Sequence, residues 1–587
     1  MSVAAAAGAR VSPFLDLESA PFTFPGSRLL VLRAEGGVTV RVAEYERRPD
    51  DCVLVRTLRV TGADGRVAPV SAVHPDRIEF GEAGVTLTFD GPDALSLGGD
   101  GTTDWAVELD LPHAPVLRTS APIRIALAPA AAEHRESARF TAAIEQSSPA
   151  QHRTALEATA HVWEEWFART PAVRDDLADM TAFCWWVLGA NIVSLPGRGG
   201  RAVVPSKIGY VGLWQWDAYF IASGLRHGDP ELAREQLELA FAFPTADGQL
   251  PDVVHDEGVL ASSDDLPPGD RDNLRRAGSA IADPSAPIPL TKPPLAAWAL
   301  RRLEGLVDDP AWFDAAWKTV SRSQEWWYAH SDLDGDGMPE YGHPYSSGLD
   351  DSPVFDAELP VASPDLAAYL ILQDDLLAAR ARSVGDTTGA ERFAARASRT
   401  LELLEGMWDE CAGFFRSSGA GKPVDAEAVV SLLPLLTGRL PGRYVAGILA
   451  ALDDPARFAT TWTVPTVARR DPDYSDERMW RGPVWVNVNA LLAEGLAVSG
   501  HADRSRALIE QTLRLVQHGG GPHEYFNPAT GEKARTATTA FGWSAALFID
   551  LAVQVSDRGA SICFSGDARS PSTPSRSVER SHYRSQT

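Results

Sequence analysis

The chain has 587 residues, 44% of them hydrophobic and 23% charged, which is the composition of a globular protein with ample material for a core. Its 54 basic and 79 acidic side chains give a net charge of −25 at pH 7, which argues against nucleic acid and anionic membrane surfaces as partners. The four cysteines stand far apart, and their spacing argues against a disulfide framework or a thiolate metal site.

The sequence contains no run that approaches the roughly 20 apolar residues needed to span a bilayer. The first residues also lack the basic segment and the apolar core of a secretory signal peptide. Together these features predict a cytoplasmic protein without a membrane partner.

Residues 1–150 are predicted to form a β-sandwich domain. Short segments there alternate apolar and polar residues and are separated by Gly, Asp and Pro turns, which is the pattern of half-buried strands. The predicted strands lie in RLLVLRAEGGVTVRVAEYER, CVLVRTLRV, GVTLTFDG, WAVELDL and PIRIALA. Several short strands at this spacing are typical of a sandwich.

Residues 151–555 are predicted to form paired helices. The clearest helical periodicity is in ELAREQLELAFAF, TKPPLAAWALRRLEGL, SPDLAAYLILQDDLLAARA, VWVNVNALLAEGLAVSG and ADRSRALIEQTLRLVQHG. Because no fixed repeat length is visible, a closed toroid is favoured over a solenoid. The Ser/Arg/Pro-rich segment 556–587 has few large apolar residues and is predicted to be a disordered tail.

The connections between helices combine tryptophans, carboxylates and glycines, which suits sugar binding. In WQWDAYF, Trp216 would stack on a pyranose ring and Asp217 would accept hydrogen bonds from its hydroxyls. The alternative is a helix-capping aspartate among core aromatic residues.

Two further connections supply candidate acid–base groups. GLDDSPVFD contains Asp350, Asp351 and Asp356, and adjacent residues cannot face one cleft in the same way. Asp350 is the candidate general acid, with a pKa raised by burial or by neighbouring negative charge. Glu524 of HEYFNPATGE follows three glycines and is the candidate base that activates water. The alternatives are a solvated turn and a surface turn.

The segment RMWRGPVWVNVN offers a third element of a ligand site. Trp480 and Trp485 could wall a pocket on either side of the Arg-Gly-Pro turn, and Arg481 could hold a carboxylate. The alternative is packing at the start of a helix, with Pro483 in its first turn.

A DxDxDG pattern formed by Asp332, Asp334 and Asp336 matches the first half of a calcium-binding loop. The full pattern requires Glu at the twelfth position, where this sequence has His343, while Glu340 stands at the ninth. Both a structural calcium site and an acidic turn remain open.

These motifs, in this order along the chain, resemble glycoside hydrolase family 63, especially its bacterial branch of mannosylglycerate and glucosylglycerate hydrolases. The resemblance covers the predicted helical region. It rests on WQWDAYF, DGQLPD, PPLAAWA, DGDGMPEYGHPYSSGLDDSP, MWRGPVWVNVN, HEYFNPATGE and FGWSAALFIDL. Family members often carry Gln where this chain has Lys292, and a cation there would either favour an anionic aglycone or lie in an outer loop.

The resemblance implies a mainly α protein, with an (α/α)6-barrel catalytic domain behind the N-terminal β-sandwich. It assigns the acid of an inverting pair to Asp350 and the base to Glu524, with no organic cofactor. It also assigns sugar contacts to Trp216, Asp217, Trp480, Trp485, Tyr210, Gln249 and Tyr345.

The predicted function is inverting hydrolysis of a short α-linked glucoside or mannoside, such as glucosylglycerate or mannosylglycerate. The expected partner is a small carbohydrate, and the sequence does not indicate an oligomeric state. One alternative is a trehalase or other oligosaccharide α-glucosidase on the same barrel. A sugar epimerase would require histidine acid–base groups, and a non-catalytic carbohydrate-binding protein would not require both candidate carboxyl groups.

Overall fold

The computed structural model describes residues 3–45, 47, 49–112, 114–130, 139–195, 200–266, 271 and 286–556. The predicted disordered tail lies outside the described residues from position 557 onward.

Two antiparallel sheets form the N-terminal part. The first has the strand order β1-β2-β3-β8-β9 and the second has the order β11-β10-β7-β6-β5-β4. The strands are β1 (Leu29–Ala34), β2 (Gly37–Val42), β3 (Val53–Gly62), β4 (Val70–Val73), β5 (Arg77–Phe80), β6 (Val85–Phe89), β7 (Ala94–Gly99), β8 (Trp105–Asp110), β9 (Leu117–Thr119), β10 (Ile123–Pro129) and β11 (Phe140–Gln146).

Alternating burial explains why these segments form sheets. Along β8 every second residue is buried, and Val107 and Leu109 stand opposite Val60 and Leu58 of β3. The two sheets share one apolar core, in which the ring of Phe22 lies 5.2 Å from that of Phe89 in β6. The expected N-terminal sheet-rich region is confirmed.

The N-terminal region also contains a helix that the strand prediction did not include. The Ala-rich helix α1 (Val3–Val11) packs against the helical part of the chain, and its Val11 is fully buried. Alanine has the highest intrinsic helix propensity, which accounts for a helix in this segment.

Helices and short strands form the rest of the chain. The helices are α2 (Pro149–Phe167), α3 (Ala178–Ala190), α4 (Gln215–Leu225), α5 (Pro230–Phe241), α6 (Ala296–Leu303), α7 (Pro310–His330), α8 (Pro344–Ser347), α9 (Pro364–Ser383), α10 (Thr387–Gly406), α11 (Gly442–Asp453), α12 (Val486–Val498), α13 (Ala502–His518) and α14 (Gly542–Ser556). Several begin with a capping residue followed by proline: Asp229 and Asp309 each accept a backbone N–H of the first turn of α5 and α7.

Within the described residues, ten short strands lie between these helices. They are β12 (Ile192–Ser194), β13 (Arg201–Val203), β14 (Leu213–Trp214), β15 (Val253–His255), β16 (Gly258–Leu260), β17 (Val361–Ala362), β18 (Trp408–Asp409), β19 (Phe414–Phe415), β20 (Ser418–Gly419) and β21 (Lys422–Pro423). Three of them, β14, β15 and β16, form one small sheet that lies next to the site described below.

Six elements form a closed ring of contacts, which we call the inner ring. It runs through α4, α6, α9, the 3-10 turn Leu433–Thr437, α12 and α14, and α14 contacts α4 again. Every residue of α4 is buried, as expected for a helix enclosed on all sides. The close packing of α4 on α14 requires glycine, because a methyl group at Gly224 would lie 2.4 Å from Cα of Ala546.

Among the residues that the structure describes, no helix is both long enough and apolar enough to span a membrane.

Candidate active site

One pocket lies where the N-terminal ends of inner-ring helices meet. Its lining segments lead directly into α4, α6, α12 and α14, so the positive ends of these helix dipoles are close to the same space. The space inside it, including its opening to solvent, is about 410 Å³. The lining residues are Pro205, Tyr210, Trp214, Trp216, Asp217, Lys292, Gly348, Asp350, Met479, Trp480, Trp485, Glu524, Phe541 and Trp543.

Asp350 reaches the pocket through a glycine turn that follows α8. Gly348 has φ of +71°, and a methyl group there would lie 2.2 Å from the indole of Trp216. Only glycine therefore allows the segment carrying Asp350 to approach this wall. The Asp350 side chain is 35% exposed, so a bound molecule can reach its carboxyl group.

Asp351 has a different environment from its neighbour. Its carboxylate accepts a hydrogen bond from the backbone N–H of Trp480 at 2.8 Å and another from Nε of Arg478 at 3.0 Å. The two adjacent aspartates thus face different ways: Asp350 lines the pocket, and Asp351 holds the loop that carries Trp480.

Glu524 lies far from Asp350 in the sequence but in the same pocket. Its Oε1 accepts a hydrogen bond from the Tyr210 hydroxyl at 3.0 Å, and its Oε2 accepts one from the backbone N–H of Thr538 at 2.9 Å. Burial raises the pKa of Glu524 to about 7, although both hydrogen bonds favour the charged form and act against that rise. The carboxyl group is therefore oriented and titrates near neutral pH.

Indole rings form much of the pocket wall. Trp480 and Trp485 are stacked with ring centroids 3.6 Å apart and planes within 8° of parallel. Trp216 lies 6.1 Å from Trp480, and Trp543 meets Trp216 edge-on at 5.4 Å. Flat apolar faces of this kind suit the apolar faces of sugar rings.

Asp217 and Lys292 add charge to the same wall. Asp217 stands in the first turn of α4, and burial raises its pKa well above 3.8. Nζ of Lys292 lies 2.8 Å from Oδ1 of Asp252 and 3.9 Å from Oδ1 of Asp350. Burial alone would lower the pKa of Lys292, but these carboxylates outweigh it and the pKa is raised.

The outer-loop interpretation of Lys292 is wrong, because its side chain is only 4% exposed and also donates a hydrogen bond to the carbonyl of Tyr345 at 2.7 Å. Its charge is compensated by the buried carboxylate of Asp252.

Three residues predicted to contact substrate lie outside the pocket lining: Gln249, Tyr345 and Arg481. Nε2 of Gln249 donates to the carbonyl groups of Ala261 and Leu290. The guanidinium of Arg481 donates two parallel hydrogen bonds to Asp356, at 2.7 and 2.8 Å. In this structure Arg481 is thus paired with a carboxylate of the protein, and its contact with a ligand carboxylate stays a prediction.

The three aspartates of the DxDxDG pattern come together outside the pocket. One ligand atom from each of Asp332, Asp334 and Asp336 lies within 4.8 Å of the others, and oxygen donors of this kind suit calcium. Each carboxylate also accepts backbone N–H groups of its own turn, for example Asp332 from Gly335 at 2.9 Å. The geometry fits both a calcium loop and an acidic turn, and calcium binding stays a prediction.

Sequence reasoning missed several lining residues. Trp214 stands two positions before Trp216, and Phe541 and Trp543 open the FGWSAALFIDL segment, so the motifs themselves contained the signal. Met479 opens the MWRGPVWVNVN segment and lines the pocket with φ of +22°, a backbone conformation that its sequence does not indicate.

Comparison with known proteins adds independent evidence. The sequence family described as "Mannosylglycerate hydrolase MGH1-like glycoside hydrolase domain" matches residues 210–544. The mannosylglycerate hydrolase of Rubrobacter radiotolerans is 29% identical over 453 residues, which cover 64% of this chain and 97% of that protein. The glucosylglycerate hydrolase of Mycolicibacterium hassiacum is 25% identical over 430 residues, which cover 60% of this chain and 94% of that protein.

Two solved structures show the same fold. The GH63 mannosylglycerate hydrolase of Thermus thermophilus in complex with glucose matches with a TM-score of 0.51 and 27% identity, covering 62% of this chain and 98% of that chain. A bacterial glucoamylase complexed with acarbose matches with a TM-score of 0.52 over 91% of this chain and 93% of its own. At 11% identity, this second match concerns the fold alone.

The family match contains every pocket-lining residue except Pro205. The predicted resemblance to glycoside hydrolase family 63 is confirmed, as is the prediction of a glycoside hydrolase, and the non-catalytic alternative is set aside. The chain belongs to the mannosylglycerate hydrolase MGH1-like family of glycoside hydrolases.

Proposed function

We propose that this protein is an inverting α-glycosidase that hydrolyses a short α-linked glucoside or mannoside, with glycosides of glycerate as the first candidates. The observation that carries this proposal is the presence of Asp350 and Glu524 in one aromatic pocket, although 174 positions (524 − 350) separate them in the chain. The names of the matched relatives support glycerate as the aglycone.

In the proposed mechanism, the protonated carboxyl group of Asp350 donates its proton to the glycosidic oxygen as the bond to the anomeric carbon breaks. The ionised carboxylate of Glu524 takes a proton from a water molecule that attacks the opposite face of that carbon. One water molecule is consumed, and the configuration at the anomeric carbon is inverted. The aglycone leaves as an alcohol.

The environment of Glu524 supports its role as the base. A general base works best when its pKa is close to the pH of the reaction, and burial places the pKa of Glu524 at about 7. Its two hydrogen bonds, from Tyr210 and from the backbone of Thr538, keep the carboxylate in one orientation.

We assign substrate contacts to Trp216, Trp480 and Trp485, which would stack on the sugar, and to Asp217, which would accept its hydroxyl hydrogen bonds. Tyr210 would orient Glu524. No organic cofactor enters the proposal, and a calcium ion at Asp332 would be structural. The proposed partner is a small carbohydrate, and a cytoplasmic location stays a prediction.

We further propose that the helical region is an (α/α)6 barrel behind an N-terminal β-sandwich. The closed inner ring supports the barrel, because its six elements contact one another in the order in which they occur in the chain and the last contacts the first. The two antiparallel sheets that share one core support the sandwich.

A neutral short glycoside, such as trehalose, is the second candidate substrate. The observation in its favour is that both cations considered for an anionic aglycone are paired with acids of the protein, Lys292 with Asp252 and Arg481 with Asp356. A substrate carboxylate would have to compete with these partners.

The test combines a substrate panel with product stereochemistry. Hydrolysis rates are measured for glucosylglycerate, mannosylglycerate, trehalose and a long α-glucan, and the fresh sugar is followed by NMR. We expect hydrolysis of a short substrate and the β-anomer of the released sugar first. An initial α-anomer would reject inversion, and hydrolysis of the long glucan alone would reject the short substrate.

A further inference from the structure

The N-terminal part of the chain contacts the small sheet of β14, β15 and β16 through one aromatic side chain. Tyr45, which follows β2, stacks on His255 with ring centroids 4.1 Å apart and planes 10° from parallel. The same ring lies 5.8 Å from that of Trp214. Trp214 belongs to β14 and lines the pocket, so Tyr45 touches the back of the pocket wall.

Ion pairs reinforce this contact at the turn between β15 and β16. Arg28 donates to Oδ1 of Asp256 at 2.5 Å, and the same guanidinium donates to the carbonyl of Ala43 at 3.1 Å. Arg139 pairs with Glu257. Three consecutive residues, the last of β15 and the two of the following turn (255 to 257), are therefore each in contact with a different residue of the N-terminal part.

The small sheet in turn supports two residues of the pocket. Trp214 pairs with Val253 in the sheet register, and the backbone N–H of Gln215 donates to the carbonyl of Asp252 at 3.0 Å. The carboxylate of Asp252 lies 2.8 Å from Nζ of Lys292, which lines the pocket. A displacement of the sheet would therefore move both Trp214 and the partner of Lys292.

This sheet has little stability of its own. Its strands are only two or three residues long, and such short strands do not persist without packing. Its apolar core is a separate small cluster of four buried residues: Val253, Leu260, Leu266 and Leu290. Tyr45, Trp214 and Tyr345 pack against this cluster. Tyr45 is the member of this cluster that the N-terminal part supplies.

We propose that the N-terminal part acts as a brace that positions the substrate-binding wall of the pocket, and that Tyr45 is its principal positioning residue. This inference rests on the proposed function, because it concerns how that same site binds its sugar. Tyr45 lies outside the family match at 210–544, whereas Trp214 lies inside it. Tyr45 thus contacts a pocket residue of the matched region although it lies outside that region itself.

The brace acts on binding more than on the chemical step. Asp350 follows the Gly348 turn, and Glu524 accepts its hydrogen bonds from Tyr210 and Thr538, which lie outside the small sheet. Tyr210 meets the sheet through an edge-on ring contact with Trp214 at 5.6 Å. A loose Trp214 would weaken ground-state and transition-state binding alike, and such a loss raises KM with little change in kcat.

The test compares Tyr45→Ala with Tyr45→Phe and with Phe14→Ala in the full-length protein, using the α-glycoside of the panel that the wild type hydrolyses best. We expect Tyr45→Ala to raise KM about tenfold with kcat within about threefold, and Tyr45→Phe to retain the wild-type values because the ring remains. Phe14 is the matched control, since it is half-buried, lies in the N-terminal part and stacks on Phe183 of α3 at 4.6 Å, away from the small sheet.

An unchanged KM in Tyr45→Ala, or an equal rise in Phe14→Ala, would overturn the proposal. So would an equal loss in Tyr45→Phe.

A second readout separates this proposal from the proposed function. Amide hydrogen exchange of residues 253–260 should be faster in Tyr45→Ala than in the wild type and unchanged in Phe14→Ala. Binding of D-glucose, followed by tryptophan fluorescence, should weaken in Tyr45→Ala alone. If the wild type hydrolyses no member of the panel, the proposed function fails. The amide hydrogen exchange and the glucose binding of the variants still test whether Tyr45 positions the pocket wall. Unchanged amide hydrogen exchange of residues 253–260 in Tyr45→Ala would reject this positioning role.

Discussion

Individual residues determine the protonation states in the pocket. Glu524 is buried with two hydrogen-bond donors and titrates near neutral pH, while Asp217 is buried close to Asp252 and Glu524 and its pKa is well above 3.8. Lys292 is the cation among these acids, and its pairing with Asp252 keeps it charged. Burial thus raises the pKa of both carboxyl groups, while the ammonium group beside them stays charged.

The proposed acid and base can be tested by isosteric substitution. Asp350→Asn and Glu524→Gln should each lower kcat by about 10²- to 10⁴-fold, since each removes one general acid–base contribution without changing the size of the side chain. Circular dichroism and the unfolding temperature should stay at wild-type values. Near-normal turnover in either variant would remove that residue from the mechanism.

The pH dependence follows from the pKa of Glu524. The base must be ionised, so kcat/KM should fall as the pH falls through about 7. The hydrogen bond from the Tyr210 hydroxyl favours the ionised form, so Tyr210→Phe should raise the pKa of Glu524 and move this acidic limb to higher pH. The measurement is the pH profile of kcat/KM for both proteins.

Tyr525→Phe serves as the control for this profile, because the Tyr525 hydroxyl bonds to Thr536 at 2.9 Å and not to the carboxylate. A limb that shifts equally in both variants, or that moves to lower pH in Tyr210→Phe, would contradict the assignment.

Loops carry most of the pocket residues, and polar side chains hold loops of the helical part in place through backbone hydrogen bonds. Asn489 in α12 shows how this works: its amide donates to the carbonyl of Thr463 at 2.9 Å and accepts from the backbone N–H of Val464 at 3.0 Å. Asp351, which lies in a turn, holds the loop of Trp480 by accepting a hydrogen bond from the backbone N–H of that residue. A polar residue in a motif of this family therefore serves to position a loop as readily as to contact a ligand.

The loop of Asp332, Asp334 and Asp336 is the element whose ligand chemistry is open to a direct test. If it binds calcium, chelation should lower the unfolding temperature, because an ion bound only by the folded state stabilises it by about 2.7 kcal/mol at a concentration 100 times Kd. Asp334→Asn should unfold at the temperature of the chelated wild type and lose the response to chelator. Identical melting curves with and without chelator, together with no metal in elemental analysis, would mean that this loop is an acidic turn and not a calcium site.

At the scale of the whole molecule, the N-terminal part and the helical part share a buried boundary. Lys207, three residues before Tyr210, is 2% exposed, and its Nζ donates to the carbonyl of Phe24 at 3.1 Å and to Oγ1 of Thr23 at 3.3 Å. Burial, assisted by the nearby charge of Arg28, lowers the pKa of Lys207 well below 10.5. This boundary therefore contains an amine that folding tends to deprotonate.

The deprotonation of Lys207 on folding should make the free energy of unfolding depend on pH. Between the lowered folded pKa of Lys207 and the ordinary value of 10.5, the unfolded chain binds a proton that the folded chain does not, so stability rises with pH in that window. Lys207→Met should lose this contribution, which amounts to at most about 1.4 kcal/mol per pH unit. The measurement is the slope of unfolding free energy against pH, from urea titrations of both proteins at alkaline pH. Equal slopes would mean that Lys207 keeps its proton on folding.

The sequence by itself determined the division into a sheet-rich N-terminal part and a helical part, because alternation with period two and helical periodicity are local properties. It also determined the family, since the motifs occur in a fixed order. The strands β4, β5, β9 and β11 escaped prediction because they are short or lie at sheet edges, where alternation is weak. The interior strand β7 escaped it because its first five residues are all buried, so no alternation marks it.

Only the tertiary structure decided which charges are available to a ligand. Arg481 and Asp356 are 125 positions apart, and Lys292 meets Asp252 across two different loops, so neither pairing could be read from spacing. The contact of Tyr45 in the N-terminal part with Trp214 in the helical part could not be read from spacing either. A side chain's charge and exposure depend on neighbours that are close in space, and the folding of the chain into a closed ring brings distant residues together.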